Sequence, residues 1–264
     1  MKKLYLAILA AFTVLPFCHA EGEEIDPNIE TTHVVFFPYR EAILSSQIDG
    51  VVQENKLIIG QKFKRGELLV TLDPTQYQLE IERVNAAIAE QVIVRDFAKE
   101  ALAIQEDLYK ESMTSELELK KARLELNTAE ARIKATQINL KDAMTQLTYC
   151  KIHAPFDGRI EEITTRSFET LKAGQPLMKI IDDNQLKATM FVPVAMLDKL
   201  KTGTEVTVTC TDTRPALTLK GHVYEIVTRA DHRSNTIEIR VLVSNKDGKV
   251  TAGMTGEFKY ARPQ

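Results

Sequence analysis

The chain has 264 residues, of which 44% are hydrophobic and 27% are charged. This is ordinary globular composition, so disorder over most of the length is excluded. The formal net charge is −3, which argues against a general nucleic-acid-binding protein.

The N-terminus has the pattern of an export signal. Two lysines precede an apolar run over residues 4–15, which is shorter than the roughly 20 residues that a membrane-spanning helix needs. A small residue, Ala20, stands at the expected cleavage point, so residues 1–20 are predicted to be a cleaved secretory signal peptide. Lipidation of Cys18 is the alternative, and the bulky Phe17 before it disfavours such an anchor.

An internal repeat follows the signal. Residues 45–72 align without a gap to residues 153–180, at a constant offset of 108. Each copy has the pattern of short strands joined by Asp-Gly and Gly turns, and neither copy could bury a core alone. We therefore expect the two copies to pack together as one small β-sandwich. The glycines predicted to supply positive-φ turns are Gly50, Gly66, Gly158 and Gly174.

Residues 75–150, between the copies, change from a strand period to a heptad period. The second arm keeps four unbroken heptads, which are typical of a coiled-coil seam: Leu119, Ala122, Leu126, Ala129, Ile133, Thr136, Leu140, Ala143 and Leu147. The first arm keeps one frame up to Ile88, and we predict a register shift near residue 90 to a second frame: Val94, Phe97, Ala101, Ile104 and Leu108. The pattern predicts an antiparallel helical hairpin.

Capping signals set the ends of the two predicted helices. The first arm opens with Asp73-Pro74, a capping residue followed by a proline at the first helical position. The second arm opens with Ser115 and Glu118, which have the spacing of a capping box. The turn between the arms is therefore predicted near residues 110–114.

The last part of the chain has an all-β pattern. Three segments alternate between apolar and polar residues, around Leu186, Val206 and Ile237, and glycine turns separate them. A short helix is predicted after Pro193. Short antiparallel strands of this kind indicate a small barrel or sandwich, to which residues 31–37 contribute a further strand.

No catalytic or metal-binding motif is present. The histidines and cysteines have no metal-ligand spacing, and the nucleotide-binding and hydrolase motifs are absent. Asp182-Asp183 is a carboxylate pair that we interpret as a turn. Cys150 and Cys210 are expected to be small buried side chains rather than a disulfide.

This layout resembles the periplasmic adaptor, or membrane fusion protein, family of bacterial efflux and secretion systems, which includes hemolysin-D-like proteins. The resemblance covers about residues 40–260. It rests on the order of several segments: Ile48-Asp49-Gly50-Val51-Val52, the helical hairpin, Ala154-Pro155-Phe156-Asp157-Gly158-Arg159-Ile160, Gly221-His222-Val223, Thr236-Ile237-Glu238-Ile239-Arg240 and Ala252-Gly253-Met254.

The resemblance implies a mostly β fold with a long α-helical hairpin. It places a split lipoyl-like β-sandwich at residues 41–74 and 151–183, an antiparallel coiled coil at 75–150 and a small β-barrel at 31–40 and 184–264. The family's membrane-proximal domain is expected to be missing.

The resemblance also implies a function without catalysis or a cofactor. The protein would lie in the periplasm and link an inner-membrane transporter, of the RND or ABC class with RND favoured, to an outer-membrane channel. Self-association, as a hexamer, is expected, and nucleic acid is not a partner.

Residues at the hairpin tip are the candidate contacts with the channel. Family members that dock on a channel often carry Arg, Leu and Ser at the tip, spaced four and then seven apart. Leu108 and Ser115 fit this spacing, whereas Ile104 stands at the Arg position.

Two other classes of protein remain as alternatives. One is a coiled-coil scaffold of the envelope without a transport role. The other is a lipoyl or biotinyl carrier, in which a modified lysine lies at the hairpin between the two halves. Residues 75–150 fill that place here, and no Met-Lys-Met sequence occurs.

Overall fold

The computed structural model of the protein describes residues 29–261. The predicted signal peptide and the candidate lipid site at Cys18 lie outside these residues. Twelve strands, two long helices and one short 3-10 helix follow in the order β1 (Ile29–Ser45), β2 (Gly50–Val51), β3 (Lys62–Phe63), β4 (Leu68–Thr71), α1 (Thr75–Lys110), α2 (Glu116–Tyr149), β5 (Lys151–His153), β6 (Gly158–Ile163), β7 (Thr170–Leu171), β8 (Pro176–Pro193), the 3-10 helix (Val194–Asp198), β9 (Glu205–Cys210), β10 (Leu217–Ile226), β11 (Thr236–Ser244) and β12 (Thr255–Ala261).

Six strands form a closed antiparallel barrel. Their order is β1-β12-β9-β10-β11-β8, and pairing of β8 with β1 closes the ring. The residues that alternate in the sequence point inward, as the two-residue period requires. The fully buried core includes Val34, Phe36, Leu186, Ala188, Met190, Val192, Val208, Ile239 and Val241.

The two copies of the repeat form the second β unit, and their hydrogen bonds follow an approximate two-fold relation. The N–H of Gly174 donates to the carbonyl of Ser46 at 2.7 Å, and the N–H of Gly66 donates to the carbonyl of Ala154 at 2.8 Å. Gly66 is equivalent to Gly174 and Ser46 to Ala154 at the offset of 108, so each copy makes the same hydrogen bond to the other. A single apolar core, with Val52, Leu72, Ile160 and Leu171 buried, lies between the copies.

Only two of the four repeat glycines have the backbone conformation that the sequence predicts. Gly66 and Gly174 have φ values of 81° and 86° and lie in turns. The prediction of a positive φ is wrong for Gly50 and Gly158, which begin strands β2 and β6. Gly158 is instead required by close approach, because a Cβ there would meet the carbonyl oxygen of Ile181.

Strands β1 and β8 run through both β units without a break. Their shared register shifts between Pro38 and Arg40, at the level where the sandwich meets the barrel. The predicted turn at Asp182-Asp183 is wrong, since both residues lie within β8. Asp182 is 5% exposed and accepts a 2.8 Å hydrogen bond from Arg40, which explains why a carboxylate can be buried in a strand.

The two helices form an antiparallel hairpin. Hydrogen bonds join Gln91 to Thr136 at 2.9 Å and Glu106 to Arg123 at 3.0 Å, so residues later in α1 contact residues earlier in α2. At about 1.5 Å per residue, each arm is roughly 50–54 Å long. Among hairpin residues, Tyr77 and Leu147 at the base pack against the sandwich core.

The seam of α2 follows the predicted heptads, and none of its nine positions is exposed. The predicted register shift in α1 is wrong. The seam of α1 continues through Gln91, Arg95, Ala98, Leu102 and Gln105. In the predicted second frame, Val94, Phe97 and Ile104 lie on the flank of the hairpin, where they are 50%, 74% and 60% exposed, whereas Ala101 and Leu108 are half-buried.

Among the described residues, Cys150 and Cys210 are buried and free, as the sequence predicts. Burial raises the pKa of the Cys150 thiol, which keeps it in the unreactive protonated form. No helix within residues 29–261 is long and apolar enough to cross a membrane. Over the same range, no group of three or more acidic, histidine or cysteine side chains could hold a metal ion.

Candidate functional site

The distal end of the hairpin is closed by a compact turn of five residues, 111–115. The N–H of Met113 donates to the carbonyl of Leu108 at 2.8 Å, and the N–H of Ser112 donates to the carbonyl of Tyr109 at 3.0 Å. This is the Schellman arrangement that ends many helices. Ser112 has a φ of 61°, so a serine occupies the left-handed position that glycine usually takes.

The second helix begins at a serine cap. Ser115 has extended backbone angles, and its side chain accepts a 3.2 Å hydrogen bond from the N–H of Glu118. Glu116 and Glu118 place negative charge in the first turn, where the helix dipole favours it. The cap predicted for α2 is thus present. At α1, Asp73 accepts a 3.0 Å hydrogen bond from the N–H of Thr75, and Pro74 occupies the cap position itself.

The two predicted contact residues differ in their surroundings. Leu108 is half-buried near the end of α1, and its carbonyl is part of the turn. Ser115 is exposed, and its hydroxyl is engaged in the cap. The structure therefore gives Ser115 a clear role in ending the turn, and its contact with a partner stays a prediction.

Three exposed apolar side chains surround this end of the hairpin, and the sequence did not single them out as a group. Ile104 is 60% exposed, Met113 is 70% exposed and Leu117 is 62% exposed. They come from the end of α1, the turn and the start of α2. A signal was available in the sequence for Leu117, which lies on α2 outside its heptad positions.

A shallow apolar groove lies on the flank of the hairpin. Val94 and Phe97 of α1 and Leu124 and Thr128 of α2 line it. Leu124 is 65% exposed, and the exposed Leu117 and Ile138 lie one heptad before it and two heptads after it on the same helix. The hairpin thus has an outward apolar line on each helix in addition to the seam between them.

The charged residues of the hairpin form ion pairs in solvent. Examples are Arg83 with Glu80 at 2.6 Å and Lys120 with Glu116 at 2.7 Å, both with largely exposed side chains. Solvent screens such exposed pairs, so each contributes little to stability. They keep the rest of the hairpin surface polar. The apolar side chains of the flank and tip are therefore exposed surfaces that are not buried within one chain.

Two family models match the chain. The model for the barrel-sandwich hybrid domain of RND membrane fusion proteins covers residues 40–183, and the model for the CusB-like β-barrel domain covers residues 186–264. The first match alone spans more than half of the chain. The protein therefore belongs to the membrane fusion protein family, whose members are periplasmic adaptors.

Similar proteins include the multidrug resistance protein MdtA of Yersinia enterocolitica. It is 25% identical over 215 residues, which cover 77% of this chain and 48% of MdtA. The MdtA of Yersinia pestis matches to the same extent. The chain spans about half the length of the curated relatives it matches. The homologues are adaptors and not enzymes, in agreement with the prediction that this chain is not a catalyst.

Solved structures share the fold. The membrane fusion protein Spr0693 from Streptococcus pneumoniae has a TM-score of 0.69 at 14% identity, covering 89% of this chain and 99% of that one. MacA from Actinobacillus actinomycetemcomitans has a TM-score of 0.57 at 19% identity, covering 89% of this chain and 79% of MacA. At these identities the likeness concerns the fold alone.

Proposed function

We propose that this protein is the adaptor subunit of a tripartite efflux system in the bacterial envelope. In this role it links an inner-membrane transporter of the RND class to an outer-membrane channel. Its family membership and the description of the matching model as an RND adaptor support the proposal. So does its similarity to a relative named for multidrug resistance. The predicted signal peptide would deliver the chain to the periplasm.

The observation that carries this proposal is the hairpin itself. Each arm is roughly 50–54 Å long at about 1.5 Å per residue, and only the base packs against the sandwich core. A long arm with an apolar tip is suited to reach a distant partner and bury that tip. We assign the channel contact to Leu108 and Ser115, together with the exposed Ile104 at the position where an Arg is common in the family.

The flank groove supports self-association. Apolar residues such as Phe97 and Leu124 would be covered if hairpins packed side by side around a ring. The sandwich, interpreted as the lipoyl-like domain at residues 41–74 and 151–183, would pack head to tail. A heterologous contact of this kind can close into a ring, and we propose a hexamer.

In vivo photo-crosslinking tests the channel contact. A benzoylphenylalanine placed at Ile104 should crosslink to the outer-membrane channel. The same probe at Leu79 provides the matched control, because Leu79 lies on the same helix near the base and is 59% exposed, against 60% for Ile104. Equal crosslinking at both sites, or none to a channel, would contradict the proposed orientation.

Crosslinking of the purified chain together with the inner-membrane transporter tests the assembly. A bifunctional amine-reactive reagent counts the copies, because each copy carries several exposed lysines, such as Lys110 and Lys120, and can be joined to neighbours on both sides. We expect species up to a hexamer when the transporter is present. A ladder that stops at the dimer under those conditions would exclude a ring.

A further inference from the structure

A groove of about 800 Å³ lies on the outside of the barrel, against strands β1, β8 and β11. Its volume falls within the range of about 300–1,000 Å³ that is typical of small-molecule sites. We call it the Lys187 groove. Its central lining residues are Val35, Phe37, Tyr39, Lys187, Thr189 and Phe191.

The groove lies beside an irregularity in the sheet. The register of β1 and β8 shifts between Pro38 and Arg40, which leaves Tyr39 of β1 and residues 183–185 of β8 without partners in this ladder. Bulges of this kind bend a strand and redirect a side chain. The Tyr39 ring meets the Tyr224 ring edge to face, with centroids 6.3 Å apart. One aromatic wall of the groove is thus fixed by the backbone.

The floor of the groove consists of apolar side chains that lie outside the core of the barrel. The neighbouring residues Phe36 and Met190 are fully buried in the core, so the alternating residues Phe37 and Phe191 point outward. Phe37 is 49% exposed and Phe191 is 54% exposed. These rings supply apolar area to the groove without contributing to the barrel core.

Most of the charges around the groove are paired with one another. Arg40 binds Asp182 at 2.8 Å, and Arg240 binds Glu225 and Glu238 at 2.9 and 2.8 Å. Glu41, which also lines the groove, lies 3.4 Å from Lys179. These groups therefore offer little net attraction to a charged ligand.

Lys187 is the exception. Its side chain is half-buried, and its ammonium lies 5.6 Å from the centroid of the Tyr39 ring. Across the part of the chain that the structure describes, it has no carboxylate partner within ion-pair distance. A cation held against a ring face in a partly apolar groove can accept an anion with less competition from water than a surface lysine.

We propose that the Lys187 groove binds an organic anion with an apolar body. The acid group of the ligand lies at the Lys187 ammonium, and its apolar body lies against Phe37 and Phe191, with Tyr39 at one side. A single open cation favours a monoanion such as a carboxylate or sulfonate over a polyphosphate. This site goes beyond the proposed adaptor role, which needs no small ligand, and it stands independently of that role.

Fluorescence titration of the full chain with 8-anilinonaphthalene-1-sulfonate tests the site. We expect saturable binding that Lys187→Gln weakens about tenfold or more and that Lys187→Arg preserves within about threefold. Lys220→Gln is the matched control, because it removes one positive charge from an exposed position on β10. Phe191→Ser should also weaken binding while leaving the melting temperature near that of the wild type.

Two experiments distinguish a free amphipathic anion from a lipid headgroup. One is competition with dodecanoate, and the other is flotation with phosphatidylcholine vesicles that contain or lack phosphatidylglycerol. Dodecanoate competition without vesicle binding supports a free amphipath. Lys187-dependent binding to the anionic vesicles supports a lipid. Unchanged affinity of Lys187→Gln for the dye, or equal weakening by Lys187→Gln and Lys220→Gln, would overturn the proposal.

Discussion

Asp49 accepts a 2.9 Å hydrogen bond from the backbone N–H of Ala173, which lies in the other copy of the repeat. The equivalent carboxylate, Asp157, accepts a 2.7 Å hydrogen bond from the N–H of Arg65 in the first copy. Each copy therefore completes a turn of the other. Because the chain between them is the hairpin, these bonds also hold the two ends of the hairpin insertion together.

The Asp49 contact gives a stability that depends on pH. The Ala173 N–H, followed by the Lys172 ammonium at 3.0 Å, lowers the pKa of Asp49 from its ordinary value. A lowered pKa in the folded state stabilises the fold above the ordinary Asp pKa of about 3.9, and this contribution is lost as the pH falls through the folded-state value.

We predict that Asp49→Asn lowers the melting temperature at pH 7 and that the difference from the wild type narrows as the solution is acidified. Thermal melts followed by circular dichroism across the acid range measure both effects. Asp198→Asn, at an exposed position in the 3-10 helix, serves as the control and should change little. A difference that stays constant with pH would show that the carboxylate charge is not involved.

The equivalent glycines Gly158 and Gly50 should respond differently to alanine. A Cβ at Gly158 would meet the Ile181 carbonyl, whereas at Gly50 the nearest atom would be a Leu72 side-chain carbon at 3.4 Å. We expect Gly158→Ala to destabilise the sandwich by about 1–3 kcal/mol, the usual cost of overpacking, and Gly50→Ala to cost much less. Urea denaturation gives both values, and equal costs would contradict the predicted difference.

The position of the hairpin seam can be tested with one charge on each face. Ile133 is 8% exposed in the seam, and Phe97 is 74% exposed on the flank. Ile133→Asp should destabilise the hairpin by several kcal/mol, because it buries an unpaired charge. Phe97→Asp should stay within about 0.5 kcal/mol of the wild type, the usual range for surface changes. A larger loss from Phe97→Asp would place it in the seam after all.

The tip should matter for transport more than for stability. Leu108→Asp lies at the end of the helix pair and is expected to cost about 1 kcal/mol. It should nevertheless abolish export, because a charge would be desolvated at the channel contact. Efflux measured in a deletion strain, beside the melting temperature of the purified variant, separates the two effects.

Two further variants refine the tip test. Ile104→Asp should impair export at full stability, and Leu79→Asp, of matched exposure near the base, should not. Wild-type export by both Leu108→Asp and Ile104→Asp would exclude a docking role for this tip. The protein would then meet its channel through another surface.

Much of this architecture could be read from the sequence alone. The residues at the heptad positions of α2 lie in the seam, as predicted, because a constant period keeps one face of the helix toward a single neighbour. The alternation around Leu186 and Ile237 likewise indicated the barrel interior, because strand geometry fixes which side chains share a face. Ser115 was identifiable as a cap from its spacing to Glu118.

Other features were decided only by the tertiary structure. Polar Gln91 and Gln105 occupy the α1 seam because Thr136 of α2 and Thr114 of the turn hydrogen-bond to them, and local apolar content could not reveal those partners. Asp182 lies in a buried strand because Arg40, distant in the sequence, supplies its counter-charge. Position 158 requires a glycine because the carbonyl of Ile181, in the neighbouring strand β8, lies too close for a Cβ. In each case long-range contacts outweigh local preference, since a partner far along the chain supplies the hydrogen bond, charge or steric limit that fixes the residue's place.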